Sequence, residues 1–343
     1  SRTKSTMPIH NRTLAVLFAI LVFYPVDHVW ADELYVAFWN VENLFDTIDD
    51  PAVEGDEEFT PQGPKQWTIE RFNIKVRNLA RVLSDANGGR GPDILGLAEV
   101  ENRQVVQSLA DALSKLGRKY RILHRDSPSG RGIDCAILYD SERVQLRESR
   151  FLPVAARATR EIVEARFEFL GSTFHLFVNH WPSKGNPESA RIEAATILRR
   201  RVDGLLRADE RAQIVVIGDL NELPNEPAVA KTLKTWGDPK SLYSKVLFNS
   251  TWRLHNDAKR GTYVYKDRWE VIDHVIISQG LLDDRNLRWK AGSTVPLQND
   301  YQMFHPRSGI PRPSRSYSGN SFHADGFSDH LPIVCILEQV QVK

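Results

Sequence analysis

Two cysteines in 343 residues exclude a disulfide-stapled scaffold and a cysteine-rich metal centre. Cys135 and Cys335 each fall in an apolar, strand-like run (133–139 and 332–337), where a thiol serves as a small hydrophobe. In an exported chain, a disulfide between them is the alternative. Charge of one sign is missing too, because 45 Lys and Arg stand against 44 Asp and Glu. That balance excludes a protein whose whole surface is built to sit on nucleic acid, and leaves room only for a local basic groove. Repeats, low-complexity blocks and linker-like segments are lacking, so we expect one large domain rather than two. The N-terminal apolar run, 14–24, is about 11 residues, too short to cross ~30 Å of hydrocarbon as a helix.

That run has the flanks of a secretion signal. Arg12 precedes it, and Val29-Trp30-Ala31 follows with short side chains at the two positions a signal peptidase reads. We therefore expect residues 1–31 to be an export signal starting at Met7, a retained membrane anchor being the alternative. Residues 32–343 then form a single periplasmic or secreted domain with no transmembrane segment after cleavage. Losing Arg2, Lys4, Arg12 and Asp27 with the signal shifts the net charge from +1 to −1.

Within this domain, β-type apolar runs recur at 34–39, 94–98, 120–123, 135–139, 162–170, 173–179, 214–217, 271–277 and 331–337. Helical spacing lies between them. Phe72, Val76, Leu79 and Leu83 share one face of a helix over about 70–84. Val105, Val106, Leu109, Leu113 and Leu116 share another, and Ile192, Ala195, Leu198, Val202 and Leu205 a third over about 189–208. Gly171-Ser172 separates two runs as a hairpin turn would, whereas the other crossovers are long. The mixture predicts mixed sheets covered by helices, not a purely parallel doubly wound sheet. Two polar segments, the acidic 46–66 and the basic 299–326, read as long surface loops.

Polar motifs sit where these runs begin or end. They are Asn40-Val41-Glu42-Asn43, Glu99-Val100-Glu101-Asn102, Arg131-Gly132-Ile133-Asp134, Asn179-His180-Trp181-Pro182-Ser183-Lys184, Gly218-Asp219-Leu220-Asn221, Asp273-His274 and Ser328-Asp329-His330. Side chains at strand ends converge on one face. Asp219 and Asn221, two apart, share a face: Asp holds or deprotonates a water and Asn donates to a phosphate oxygen. Asp329-His330 sets an oxygen ligand beside a group that titrates near neutrality. These groups point to phosphoester hydrolysis.

The ordered set, over about residues 34–337, resembles the endonuclease/exonuclease/phosphatase superfamily, the DNase I-like group that includes pancreatic-type DNases, abasic-site endonucleases, sphingomyelinases and inositol polyphosphate 5-phosphatases. Residues 40–46 and His180-Trp181-Pro182-Ser183-Lys184 are most similar to exported bacterial members regarded as nucleases. The resemblance implies an α/β, four-layer sandwich: two packed mixed β-sheets flanked by helices. It implies that Glu99 is the main Mg²⁺ carboxylate, with Asn40 on the metal side, Asp329 on the metal or water side and Glu42 as a further oxygen ligand. Mn²⁺ and Ca²⁺ also accept such a set.

By the same resemblance Asp219 prepares the attacking water, Asn221 holds a phosphate oxygen, and Asp273 fixes the tautomer of the catalytic His330. His180 matches a second histidine, and Asp134 aligns with its carboxylate partner, giving a second dyad near the leaving oxygen. Arg131, Lys184 and Arg315 are candidate phosphate contacts. Tyr317 and Phe322 are candidate stacking groups for bases, ordinary loop side chains being the alternative. His274, pointing to the face opposite Asp273, reads as structural. Glu101, where DNases of this group often carry a basic residue, repels a phosphate backbone unless a cation intervenes.

The expected activity is a Mg²⁺-dependent, exported phosphodiesterase acting on nucleic acid, DNA rather than RNA, with no stable protein partner. The alternatives are a phosphatase or phosphodiesterase on inositol phosphates, phospholipids or other small phosphoesters, and, remotely, an inactive binding module on the same scaffold.

Overall fold

The computed structural model describes residues 32–51, 53–155, 159–243 and 245–340. The expected export signal lies outside the described residues. Eight strands carry the first two thirds of the fold: β1 (Glu33–Leu44), β2 (Ile94–Val100), β3 (Tyr120–His124), β4 (Asp134–Asp140), β5 (Gln145–Leu152), β6 (Ile162–Phe169), β7 (Ser172–His180) and β8 (Ile214–Asp219). β1, β2, β4 and β3 join the strands Ile333–Gln339 and Leu287–Trp289 in one sheet. β5 to β8, with the strands Asp273–Ile277, Leu247–Asn249 and Thr235–Trp236, form the other. Both are mixed. β1 runs parallel to β2 and antiparallel to Ile333–Gln339, and β7 runs parallel to β8.

The sheets are layered by hydrophobic burial. Val36, Phe38 and Ile94 of one sheet face Val163, Val178 and Ile217 of the other, so the inter-sheet core is aliphatic and aromatic. The other face of the first sheet, with Ala37, Leu95 and Leu97, is covered by the helices Ile69–Gly89 and Arg103–Ala112 through Leu79, Leu83, Val105 and Leu109. The helix Glu188–Ala208 covers the second sheet, Ala194, Leu198 and Val202 meeting Phe177, Val216 and Ile276. The expected four-layer α/β sandwich is what the chain forms. No helix among the described residues is long and apolar enough to cross a membrane.

Gly96, in the middle of β2, lets the sheets approach. A Cβ there would stand 2.9 Å from Val178 Cγ2, 3.0 Å from Ile217 Cδ1 and 3.2 Å from Phe38 Cδ2. Gly96→Ala is therefore expected to destabilise by about 1–3 kcal/mol through overpacking. Urea unfolding checks it: a midpoint equal to wild type, or no partial recovery with Ile217→Val, would count against this contact.

Several expectations shift at the edges. β5 was not anticipated, because it is an edge strand whose exposed Arg147, Glu148 and Arg150 break the apolar alternation. The second helical pattern is split: Asn102 caps Arg103–Ala112 by accepting from Gln104 N and Val105 N, and a short 3₁₀ turn, Ser114–Leu116, follows. Leu170 (φ 48°) and Gly171 (φ 82°) form the tight turn between β6 and β7. Cys135 and Cys335 are free thiols buried between the sheets, so the disulfide alternative is set aside.

The two long loops pack on each other instead of standing free in solvent. Phe45 stacks on Phe59 at 4.2 Å, and Trp67 meets Tyr317 at 5.7 Å and Phe322 at 6.0 Å. Lys65 Nζ donates to Gly319 O (2.7 Å), and Tyr317 Oη donates to Lys65 O (3.1 Å). Tyr317 and Phe322, considered as base-stacking groups, are largely committed to this aromatic cluster.

Candidate active site

Strand register brings the polar groups together. His180 ends β7 opposite Asp219, which ends β8, and Asp219 stands opposite Asp273 at the start of its antiparallel neighbour. Three chemically active side chains thus occupy adjacent positions along one sheet end. The other sheet supplies Asn40 and Glu99 from β1 and β2, at the point where register shifts interrupt both the β1–β2 and the β2–β4 pairing. Such bulges re-aim side chains at the rim of a sheet. Glu42, Asn43, Glu99 and Asn221 all have positive φ, between 50° and 62°, a concentration of backbone strain that marks functional sites.

These ends open into one cleft of about 640 Å³. Asn40, Glu42, Glu99, Arg131, His180, Lys184, Asp219, Asn221, Arg315, Asp329 and His330 all line it. Asp273 lies beneath, fully buried, and Oδ2 stands 2.8 Å from His330 Nδ1. That contact fixes the ring with Nε2 toward Asp219 Oδ2, 3.8 Å away. The backbone is held as well: Trp39 Nε1 donates to His330 O (2.9 Å), and Ser328 Oγ donates to Asn40 O (2.7 Å) while accepting from His330 N (3.1 Å). Burial alone would favour a neutral ring, but Asp273, with Asp219 and Asp329, outweighs it and keeps His330 protonated well above its usual range.

Asp219 is 2 % exposed. Burial, with Asp273 nearby, pushes its carboxyl up to about 7 despite the opposing charge of His330. Oδ1 accepts from Asn221 N (2.9 Å) and Oδ2 from Asn40 Nδ2 (3.1 Å). Asn40 Nδ2 also reaches Glu99 Oε1 (3.4 Å), while Asn40 Oδ1 accepts from Glu42 N (3.0 Å). The amide therefore spaces two carboxylates. Asn40 thus keeps the metal-side place expected of it, its Oδ1 engaged by one backbone N–H and retaining a second lone pair.

Glu42 is tied to the far wall, accepting from Ser316 N (2.7 Å) beside Arg315. Burial and Asp329 push it up to about 8. Beneath, the buried Lys75 donates to Ser316 Oγ (2.7 Å), and burial holds its ammonium below its usual value.

The Asp134–His180 dyad does not form. Asp134 opens β4 on the far side of β2, where Oδ1 accepts from Ser127 N and Oγ and Oδ2 lies 3.3 Å from His124 Nε2. His180 belongs to the other sheet. Its partner is Arg160, a residue without any sequence signal, which donates from Nη2 to His180 Nε2 (2.8 Å) and from Nε to His180 O (3.1 Å). Because guanidinium only donates, His180 accepts at Nε2 and carries its proton on Nδ1. Burial, then Arg160, Arg131 and His330, hold the ring neutral, its pKa well below the usual value.

Asn221 donates one amide proton to Trp181 O (3.0 Å), leaving the other for a phosphate oxygen. Arg131 contacts Asn43 Oδ1 (2.8 Å) and lies 3.8 Å from Glu99; Arg315 holds Asp329 (2.5 Å); Lys184 pairs with Glu226 and Glu270 at the margin. His274 is structural as expected, Nε2 meeting Glu222 O at 2.8 Å. Glu101 faces Asp46 N (2.6 Å), away from the cleft, so it does not confront a phosphate as expected. Tyr263, another unanticipated member, lays its ring on His330 at 4.9 Å.

The oxygen-rich set Glu42, Glu99, Asp219 and Asp329 around one cleft fits a hard divalent cation. Asp219, Asp273 and His330 also bring donor atoms within 4.8 Å of one another, but Asp273 is committed to the imidazole. An imidazolium and a buried carboxylate in one cleft lined by further carboxylates make the chemistry of a phosphoester hydrolase. The chain belongs to the endonuclease/exonuclease/phosphatase family, whose profile matches residues 35–339.

The fold is shared with solved structures of low identity. A humanised TDP2 of D. rerio superposes with a TM-score of 0.57 at 16 % identity, over 89 % of this chain and 99 % of that one. The catalytic domain of human nocturnin gives 0.54 at 19 %, over 90 % and 94 %. A family protein from Bacteroides thetaiotaomicron gives 0.54 at 17 %, over 91 % and 99 %. Among curated sequences, the protein angel of Drosophila melanogaster is 24 % identical over 212 residues. That alignment covers 55 % of each, so the chain spans about half the length of the relative it matches.

Proposed function

We propose that this protein is an exported, magnesium-dependent phosphodiesterase that hydrolyses DNA. The observation that carries the chemistry is the Asp273–His330 pair aimed at Asp219 across 3.8 Å, beside Glu99. In this reading His330, protonated, donates from Nε2 to a nonbridging phosphate oxygen and stabilises the charge of the five-coordinate transition state. Asp219 Oδ2 accepts the proton of the in-line water. Glu99, Asp329 and Glu42 would hold the cation, which when bound supplies Lewis acidity to the phosphate and leaving oxygen. Asn40 keeps Glu99 and Asp219 apart, and Asn221 steadies the phosphate. His180, neutral and locked by Arg160, orients this wall and does not serve as the acid.

A nucleic acid substrate is supported by the open cleft with Arg131 at its margin, and by a structural relative, the TDP2 of D. rerio, determined with a single-strand DNA product. The inositol-phosphate alternative needs free cations, whereas Lys184 and Arg315 are already paired. The test is supercoiled plasmid incubated with the protein and Mg²⁺. Nicking followed by fragmentation, lost with EDTA and in Glu99→Gln, is the expected result. Intact plasmid with folded protein and measurable release of phosphate from small phosphoesters would sink the DNA assignment.

A further inference from the structure

The segment after β1 carries a second group of carboxylates, apart from the cleft. Oxygens of Asp49, Asp56 and Glu57 lie within 4.8 Å of one another. Two oxygens at calcium distance, ~2.3–2.6 Å, stand at most about 5 Å apart across the ion, so all three can share one cation. An acidic cluster on a surface loop is ordinary. Asp56 is not: the residue is 1 % exposed, its Oδ2 accepts from Asp50 N (2.7 Å), and its Oδ1, in the buried interior of the loop, has no hydrogen-bond partner. A buried carboxylate oxygen with no donor is costly unless a cation or a proton meets it. No Lys, Arg or His forms an ion pair with Asp49, Asp56 or Glu57 among the described residues, and a further carboxylate, Glu101, stands within electrostatic reach of Asp56.

The geometry points to a structural cation site formed by Asp49, Asp56 and Glu57, chemically suited to calcium and separate from the catalytic cation. Hard oxygen donors on a loop, of flexible number and spacing, suit calcium better than magnesium, which demands a compact octahedron. The loop also has something to brace. A Cβ on Gly55 would stand 2.7 Å from Arg131 Cα, and one on Gly132 would stand 2.5 Å from Val53 Cγ1, so the loop lies directly against the segment that brings Arg131 to the cleft. A cation here would fix that wall without touching the reacting atoms.

The test uses the full chain, freed of metal with a chelator, exchanged into chelator-free buffer and titrated with calcium chloride while Tm is followed. It is run in the Glu99→Gln variant, which removes the main carboxylate of the cleft and leaves the loop intact. At calcium a hundredfold above its dissociation constant, Tm is expected to rise by about 5 °C. Adding Asp56→Asn, which keeps an acceptor for Asp50 N and loses the charge, abolishes that rise and exposes loop 46–57 to proteolysis. If Asp56→Asn does not fold, the exposed pair Asp49→Asn and Glu57→Gln carries the same test. Equal calcium responses with and without the loop substitution, or no response in Glu99→Gln alone, would overturn the site. Neither readout depends on hydrolysis, so failure here is distinct from failure of the proposed activity.

Discussion

His330→Ala is expected to lower phosphodiester turnover about a thousandfold, the sum of a lost hydrogen-bond donor and a lost positive charge at the transition state. Asp273 holds the ring in place, and its surroundings keep it protonated at neutral pH. Asp273→Asn should cost less, because it spares the imidazole while removing its anchor and the charge that chiefly keeps it protonated. The double variant should be little worse than His330→Ala alone, since the two act as a unit. Steady-state hydrolysis of bis(p-nitrophenyl) phosphate, with circular dichroism to confirm folding, checks all three. Turnover of His330→Ala within tenfold of wild type would remove His330 from the mechanism.

Asp219→Asn should separate activity from stability more sharply. Turnover falls by about two to three orders of magnitude, because the amide cannot take a proton from water. Stability rises. The folded pKa of Asp219, about 7, lies above its ordinary value of 3.8, so the folded state binds this proton more tightly than the unfolded chain. Its contribution is therefore complete below pH ~4 and is lost as pH rises through about 7. The asparagine variant escapes that loss, so its Tm should match wild type near pH 4 and exceed it by about 5 °C at pH 8. A variant less stable than wild type at pH 8 would mean that the ionised carboxylate, held by Asn40 and Asn221, is a net stabiliser. Storing unfavourable burial in a catalytic carboxylate is a familiar exchange of stability for function.

Much of this was legible in the chain. Mixed sheets covered by helices follow from apolar runs separated by amphipathic spacing, the four-layer stacking came from the family resemblance, and residues such as Leu79, Leu109 and Leu198 turn inward where their spacing says. The cleft members fall at strand ends because turns there leave polar groups free to converge. Asp273 and His330, 57 residues apart, were paired by the family resemblance of their motifs. Other features depend on which sheet a strand joins, and spacing does not report that. Asp134 and His180 sit at strand ends in the same motif series, yet they belong to different sheets and find other partners. Arg160 enters the site from a mixed stretch before β6 that has no periodicity to read. The role of Asn40 was hidden for another reason: only the atoms show that its carbonyl accepts from Glu42 N and its amide NH₂ faces the carboxylates.

The cleft draws Asn40 and Glu99 from one sheet and His180, Asp219 and Asp273 from the other, with His330 leading into a strand of the first. Neither sheet holds a complete reaction centre. Hydrolysis is thus a gauge of how the two halves are docked. A form that keeps its helices and hydrogen-bonded ladders but lets the aliphatic layer around Gly96 loosen would retain the spectrum of a folded protein while the water, the imidazolium and the cation ligands drift out of line. Selection on activity therefore acts on the buried layer of Phe38, Val178 and Ile217 as well as on the polar groups, and turnover should fade before secondary structure does as the protein is warmed.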